Sequence, residues 1–131
     1  MTYLLDTSTW IWLVESPAKL SVKVADITSK IENAPFGLST ISIWEVAKKV
    51  SLAKLTISLP IREWMAKAVR EPFIQPIPLS LEIALESNQL PGVFHNDPAD
   101  QIIVATARIL NPTVLAKDDL MLKYGHVKSM W

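Results

Sequence analysis

Short apolar runs alternate along this chain with longer stretches in which apolar residues recur every three to four positions. That alternation predicts an α/β domain around a mostly parallel sheet. Thr2–Leu5, Phe36–Ser39 and Thr113–Ala116 read as strands. Ile74–Leu79 reads as a further strand, confined to an edge or made irregular by Pro76 and Pro78. Pro17 opens a helix expected to run to about Glu32, with Leu20, Val24, Ile27 and Ile31 as its buried stripe. Further helices are expected over Ile41 to about Lys54, from Pro60 through Trp64 and Val69 to a stop at Pro72, over Leu81–Leu90, and from Pro98 to Leu110. A short helix over Asp118–Tyr124 and an extended Val127–Trp131 complete the chain. No repeat or low-complexity tract interrupts the pattern.

The chain has 131 residues, which makes residues 1–131 one domain long enough to bury a core. Half of the residues are hydrophobic and 20% are charged, a balance that argues against disorder. Thirteen Lys and Arg against 13 Asp and Glu leave no net charge, so a broad basic grip on nucleic acid is excluded and any such contact must be local. There is no cysteine, hence no disulfide framework and no thiolate site. The N-terminus lacks a basic leader, and the longest unbroken apolar run, Trp10–Val14, falls far short of the ~20 residues of a membrane span. A soluble cytoplasmic protein without a membrane partner is expected.

The chemistry lies in the acids. Asp6 directly follows the first strand and Asp118 the strand Thr113–Ala116, and the carboxyl ends of parallel strands are where open α/β sheets bind ligands. Asp97 and Asp100 open the Pro98 helix, about 60° apart on its surface. Glu45 stands among Ile43, Trp44, Val46 and Ala47 on its helix. Local roles compete with site roles for several of these residues. Asp97 before Pro98 is a good N-cap, Ser42 with Glu45 fits a capping box, and Asp118 or Asp119 is suited to cap the last helix. Two ionised carboxylates ~4.5 Å apart repel by about 3 to 4 kcal/mol at an effective dielectric near 20, so a gathered cluster needs raised pKa values or divalent cations. Oxygen donors without thiolates or clustered histidines point to Mg²⁺ or Mn²⁺, and so to phosphoryl-ester chemistry.

The segments YLLDTST, STISIWEVAKK, HNDPADQIIVATA and TVLAKDDLMLKYG, in that order and spacing, resemble the PIN-domain ribonucleases, in particular the VapC-type toxins of toxin and antitoxin pairs. The resemblance spans essentially the whole chain. It implies a three-layer domain, with a central mostly parallel sheet of four to five strands and helices on both faces. It implies metal-dependent hydrolysis of RNA by Asp6, Glu45, Asp100 and Asp118. Asp6 and Asp100 are the direct Mg²⁺ or Mn²⁺ ligands it implies, with Glu45 and Asp118 acting directly or through water and Asp97 as an accessory acid through water or a cap. Thr7 and Ser8 beside the first acid, and Lys48 and Lys49 beyond Glu45, are substrate-binding candidates, with Lys54 extending the basic edge. The resemblance also implies a homodimer and a cognate antitoxin, with Trp10, Trp12 and Leu13 as candidates for an apolar groove that takes the antitoxin; core packing is the simpler expectation for Trp44 and Trp64.

Two positions depart from the family pattern. Ala116 stands where Thr or Ser is common, and Gln101 where Arg is common. These departures motivate an alternative: a PIN-like RNA- or protein-binding module with weak or no catalysis. A structure-specific DNA nuclease fits less well, because the chain has no additional arch or clamp segment. His95 and His126 invite a metal-free ribonuclease mechanism, but His95 reads more simply as a solvated turn residue and His126 as a surface residue.

Overall fold

Five strands form one parallel sheet in the order β3-β2-β1-β4-β5, comprising β1 (Tyr3–Leu5), β2 (Phe36–Ser39), β3 (Ile74–Ile77), β4 (Thr113–Leu115) and β5 (Ser129–Met130). The computed structural model describes every residue, Met1–Trp131. Seven helices surround the sheet: α1 (Thr7–Glu15), α2 (Val22–Ser29), α3 (Thr40–Ser51), α4 (Ile61–Ala68), α5 (Leu81–Ser87), α6 (Pro98–Leu110) and α7 (Asp119–Leu122). Pro76 sits on the edge strand β3, where its missing N–H costs no ladder bond.

The two-residue period of the strands divides the core into two layers. Leu5 and Leu115 face one side of the sheet with Phe36 and Leu38, where they meet Trp10, Val24, Val46 and Trp64 from α1 to α4. Leu4 and Val114 face the other side and meet Ile83, Ile103, Val104 and Met121 from α5, α6 and α7. Strands buried on both faces need apolar residues at successive positions, which explains their short unbroken apolar runs. Gly37 completes the fit: a Cβ there would stand 2.0 Å from Met1 Sδ and 2.9 Å from Ile77 Cδ1.

Two elements and one side chain differ from the sequence pattern. Trp10–Val14 belongs to a helix, α1, that hydrophobic spacing did not reveal. The helix expected from Pro17 to Glu32 is instead a 3₁₀ turn at Pro17–Lys19, α2 and a second 3₁₀ turn at Ile31–Asn33. Ser21 accepts from the Val24 amide and starts α2 late, while Asn33 Nδ2 donates to the Ile27 carbonyl and ends it early. Ile31 is thereby turned outward, 71% exposed, instead of completing the buried stripe. Trp44 also departs from core packing: it lies on the outer face of α3, 59% exposed.

Candidate metal centre

Because all five strands are parallel, their carboxyl ends form one rim, and the acids collect there. Asp6 leaves β1 and precedes α1; its amide donates to the Leu115 carbonyl at 3.2 Å, tying the end of β1 to β4. Its side chain makes no capping bond and is only 6% exposed. Burial, followed by the charge of Asp100, pushes its pKa from 3.8 to about 7; Glu45 and Asp118 add to the rise, and the Thr7 amide opposes it. Asp100, in the first turn of α6, is raised from 3.8 to about 6, again chiefly by burial and then by Asp97, with Asp118 and Glu45 adding and His95 opposing. Asp6, Glu45, Asp100 and Asp118 thus stand close enough at this rim for their charges to oppose one another's ionisation.

Glu45 is held by hydroxyls. Ser39 at the end of β2 caps α3 through the Ile41 amide, so the helix begins before Ser42 and the alternative Ser42–Glu45 capping box does not form. Ser42 is instead buried within the helix, with its Oγ 2.7 Å from Thr7 Oγ1. Thr7 Oγ1 donates to Glu45 Oε1 at 2.7 Å. A hydroxyl has one proton, so Ser42 donates to Thr7 and Thr7 donates to Glu45. Lys49 Nζ stands 3.9 Å from the other oxygen, Oε2. Thr7, a substrate-binding candidate from the sequence, is buried, and its hydroxyl is taken up by Ser42 and Glu45. Ser8 is exposed, and Lys48 is exposed without an ion pair.

Asp97 accepts from the Ala99 amide at 3.0 Å as the N-cap of α6. Asp118 Oδ1 accepts from the Leu120 amide at 3.1 Å, while Asp119 is exposed on α7. His95 is not a solvated turn residue. Its Nε2 is buried and faces Asp100 Oδ2 at 3.1 Å, and donor atoms of His95, Asp100 and Asp118 all lie within 4.8 Å of one another. Gln101 Nε2 donates to the His95 carbonyl at 3.1 Å and fixes the turn that carries it. The position of this histidine, two residues before Asp97 in the same turn, was the available signal, but sequence alone did not give the direction of the side chain.

The tryptophans divide. Trp10 is fully buried, edge-on to Trp64 at 5.1 Å between ring centroids, and its Nε1 donates to the Ala68 carbonyl. It is a core residue and is not available as an exposed groove wall. Trp12 is partly buried, with its ring 5.7 Å from that of Trp131 and Lys117 Nζ 5.9 Å from its centroid. Leu13 lines a cavity of about 370 Å³ with Val14, Phe73 and Ile74, floored by Trp10 and edged by Lys67 and Arg70.

The family model of the PIN domain matches residues 3–127. This chain belongs to the PIN-domain family. Ribonuclease VapC22 of Mycobacterium tuberculosis is 25% identical over 126 residues, covering 95% of this chain and 93% of that protein. Among solved structures, VapBC2 from Rickettsia felis bound to a promoter DNA fragment superposes with a TM-score of 0.71 at 13% identity, covering 99% of this chain and 98% of that one. FitAcB from Neisseria gonorrhoeae gives 0.68 at 21% identity, with 99% and 97% covered. A toxin-antitoxin complex from Klebsiella pneumoniae gives 0.63 at 19%, with the same coverage. The three structural likenesses are likenesses of fold.

The donors of this PIN domain suit a divalent cation. Four carboxylates share one rim, and two of them are held mainly by burial at pKa values where a cation competes effectively with the proton. Their oxygen chemistry matches Mg²⁺ or Mn²⁺.

Proposed function

We propose that this PIN domain is a Mg²⁺- or Mn²⁺-dependent endoribonuclease that serves as the toxin of a toxin-antitoxin pair. The observation that carries the reading is the convergence of Asp6, Glu45, Asp100 and Asp118 on one rim, with Asp6 raised to about 7 and Asp100 to about 6. The relative named a ribonuclease and the toxin-antitoxin complexes of the same fold support it. Asp6 and Asp100 hold the cation, and Glu45 and Asp118 act directly or through water, with Asp97 as an accessory acid behind its capping role. A bound divalent cation supplies Lewis-acid stabilisation of phosphoryl charge and a more acidic water.

The chain's own groups prepare the centre. Thr7 holds Glu45 Oε1 and Lys49 stands 3.9 Å from Oε2, so the two contacts fix the orientation of this carboxylate at the rim. Above pH 7 Asp6 carries its charge, so cation uptake strengthens as pH rises from 5 to 8. Lys48 and Lys49 offer a local phosphate-binding edge on the exposed side of α3. No helix is long and apolar enough to cross a membrane. The protein is proposed to act as a homodimer in the cytoplasm, restrained by an antitoxin that engages α1 through the partly exposed Trp12 and Leu13.

The test is cleavage of an RNA pool by the purified full chain. Cleavage is expected with Mg²⁺ or Mn²⁺, and is expected to be lost with EDTA and in folded Asp6→Asn and Asp100→Asn proteins. Cleavage that survives EDTA, or full activity in either variant, overturns the reading. The second reading, a binding module without catalysis, is favoured by Ala116 and by Gln101, whose side chain is spent on the His95 carbonyl. RNA or partner binding without cleavage at any metal concentration would establish it.

A further inference from the structure

His95 lies outside the carboxylate set just described, yet its ring enters the same rim. Its Nε2 is buried and faces Asp100 Oδ2 at 3.1 Å, within ion-pair reach, while the rest of the side chain is partly exposed. A neutral imidazole nitrogen facing a carboxylate can exchange that contact for a bond to a cation that the carboxylate also holds. Two donors ~2.1 Å from one octahedral ion and at right angles to each other lie ~3.0 Å apart, and donors across it ~4.2 Å apart. The His95, Asp100 and Asp118 donors, all within 4.8 Å of one another, need only a small inward movement to share one ion.

Two contacts set the position of the imidazole. The Phe94 ring lies 4.4 Å from it and itself packs 4.9 Å from the Tyr124 ring, while Gln101 Nε2 fixes the His95 carbonyl. Gln101 is the residue that departs from the family's usual Arg. In this chain that position braces the histidine turn.

We infer that His95 Nε2 is a direct ligand of the metal centre alongside Asp100 and Asp118, and that it biases the centre toward Mn²⁺ over Mg²⁺. Imidazole is a softer donor than carboxylate, Mg²⁺ prefers oxygen donors and retains its waters, and Mn²⁺ accepts nitrogen more readily. The inference rests on the metal-centred reading above but not on the identity of the substrate.

The experiment uses the purified full chain and Mn²⁺ alone. Electron spin-echo envelope modulation of the Mn²⁺-loaded protein is expected to show ¹⁴N coupling from one imidazole, and loaded His95→Gln is expected to lack it. By calorimetry, folded His95→Gln is expected to bind Mn²⁺ about 10-fold to 100-fold more weakly, in the range of lost supports of a metal site, while Mg²⁺ affinity changes less than about 3-fold. Bound Mn²⁺ without ¹⁴N coupling in the unsubstituted protein overturns this inference and leaves the ribonuclease reading intact. Equal weakening for both ions overturns the Mn²⁺ preference. Failure of Mn²⁺ to bind at all overturns both the inference and the metal-centred reading. Because the spectroscopic result comes from the unsubstituted chain, it holds even if the variant does not fold.

Discussion

Replacing Asp6 by Asn should stabilise the cation-free protein while removing its cation binding. The side chain is 6% exposed and its pKa is raised from 3.8 to about 7, so at pH 8 the folded chain holds a buried carboxylate that strongly prefers its neutral form. At ~1.4 kcal/mol per tenfold in proton affinity, that ionisation costs the fold about 4 kcal/mol. The sign follows from proton counts. Between pH 3.8 and 7 the folded state binds more protons at Asp6 than the unfolded state, so stability falls as pH rises through that window and levels off above it. Asn is nearly isosteric and carries no charge. Asp6→Asn should therefore gain about 2 to 4 kcal/mol at pH 8 in EDTA, with the upper end reached where the amide finds a partner, and little at pH 4. For a domain of this size the pH 8 gain is a rise of roughly 10 °C in Tm. Saturating Mn²⁺ or Mg²⁺ should restore the unsubstituted chain, by about 2.7 kcal/mol at 100 times Kd, and leave the variant unmoved. Urea melts at pH 4, 6 and 8, with and without cation, read all of these effects. A variant less stable than the unsubstituted chain at pH 8, or a gain independent of pH, refutes the electrostatic account.

Thr7→Val keeps the shape and removes the hydroxyl between Ser42 and Glu45; it should lower cleavage at least 10-fold, with Thr7→Ser recovering most of it, as single-turnover RNA cleavage would measure. Glu15 Oε1 accepts from the Ser58 amide and hydroxyl and from Trp64 Nε1 at 2.6 Å, bonds that hold its pKa below the usual range. Glu15→Ala should cost about 1 to 3 kcal/mol by urea melt, because the buried Trp64 loses its acceptor. Asp97→Ala should cost about 1 kcal/mol through loss of the α6 cap, and it should also lower the pKa of Asp100, for which Asp97 is the leading charge, visible by ¹³C NMR titration of the carboxyls.

The layered fold was legible because β1, β2 and β4 are short apolar runs and α6 carries its signals at both ends, Asp97 and Pro98 at the start and Asn111 in the left-handed conformation at the finish. The placement of Asp6 and Asp118 on one side of the sheet was legible for a related reason: both follow strands, and parallel strands share one rim. Helix α1 was not. Its Trp10–Val14 run is apolar at every position, so it has no polar face for a 3.6-residue period to reveal, and Trp10 lies in the core while Ile11 to Val14 remain partly exposed. The role of Ser42 was not legible for a different reason. Its spacing to Glu45 fits a capping box, but Ser39 takes the cap and frees Ser42 for Thr7, a contact across 35 residues that no local pattern encodes.

The formal charge of zero takes on a different meaning once the acids are located. It counts every carboxylate as ionised, yet Asp6 at about 7 and Asp100 at about 6 are partly protonated near neutrality, so the cation-free chain is more positive than its 13 acids imply. Cation binding releases those protons and replaces them with two charges per ion, keeping the rim from becoming a wall of negative potential against phosphate. The absence of a broad basic surface then follows from how the rim works. On the proposed ribonuclease reading, an RNA chain held by the rim, with Lys48 and Lys49 beside it, would need few other cations, and its grip would depend on the ion and on pH through the same buried carboxylates.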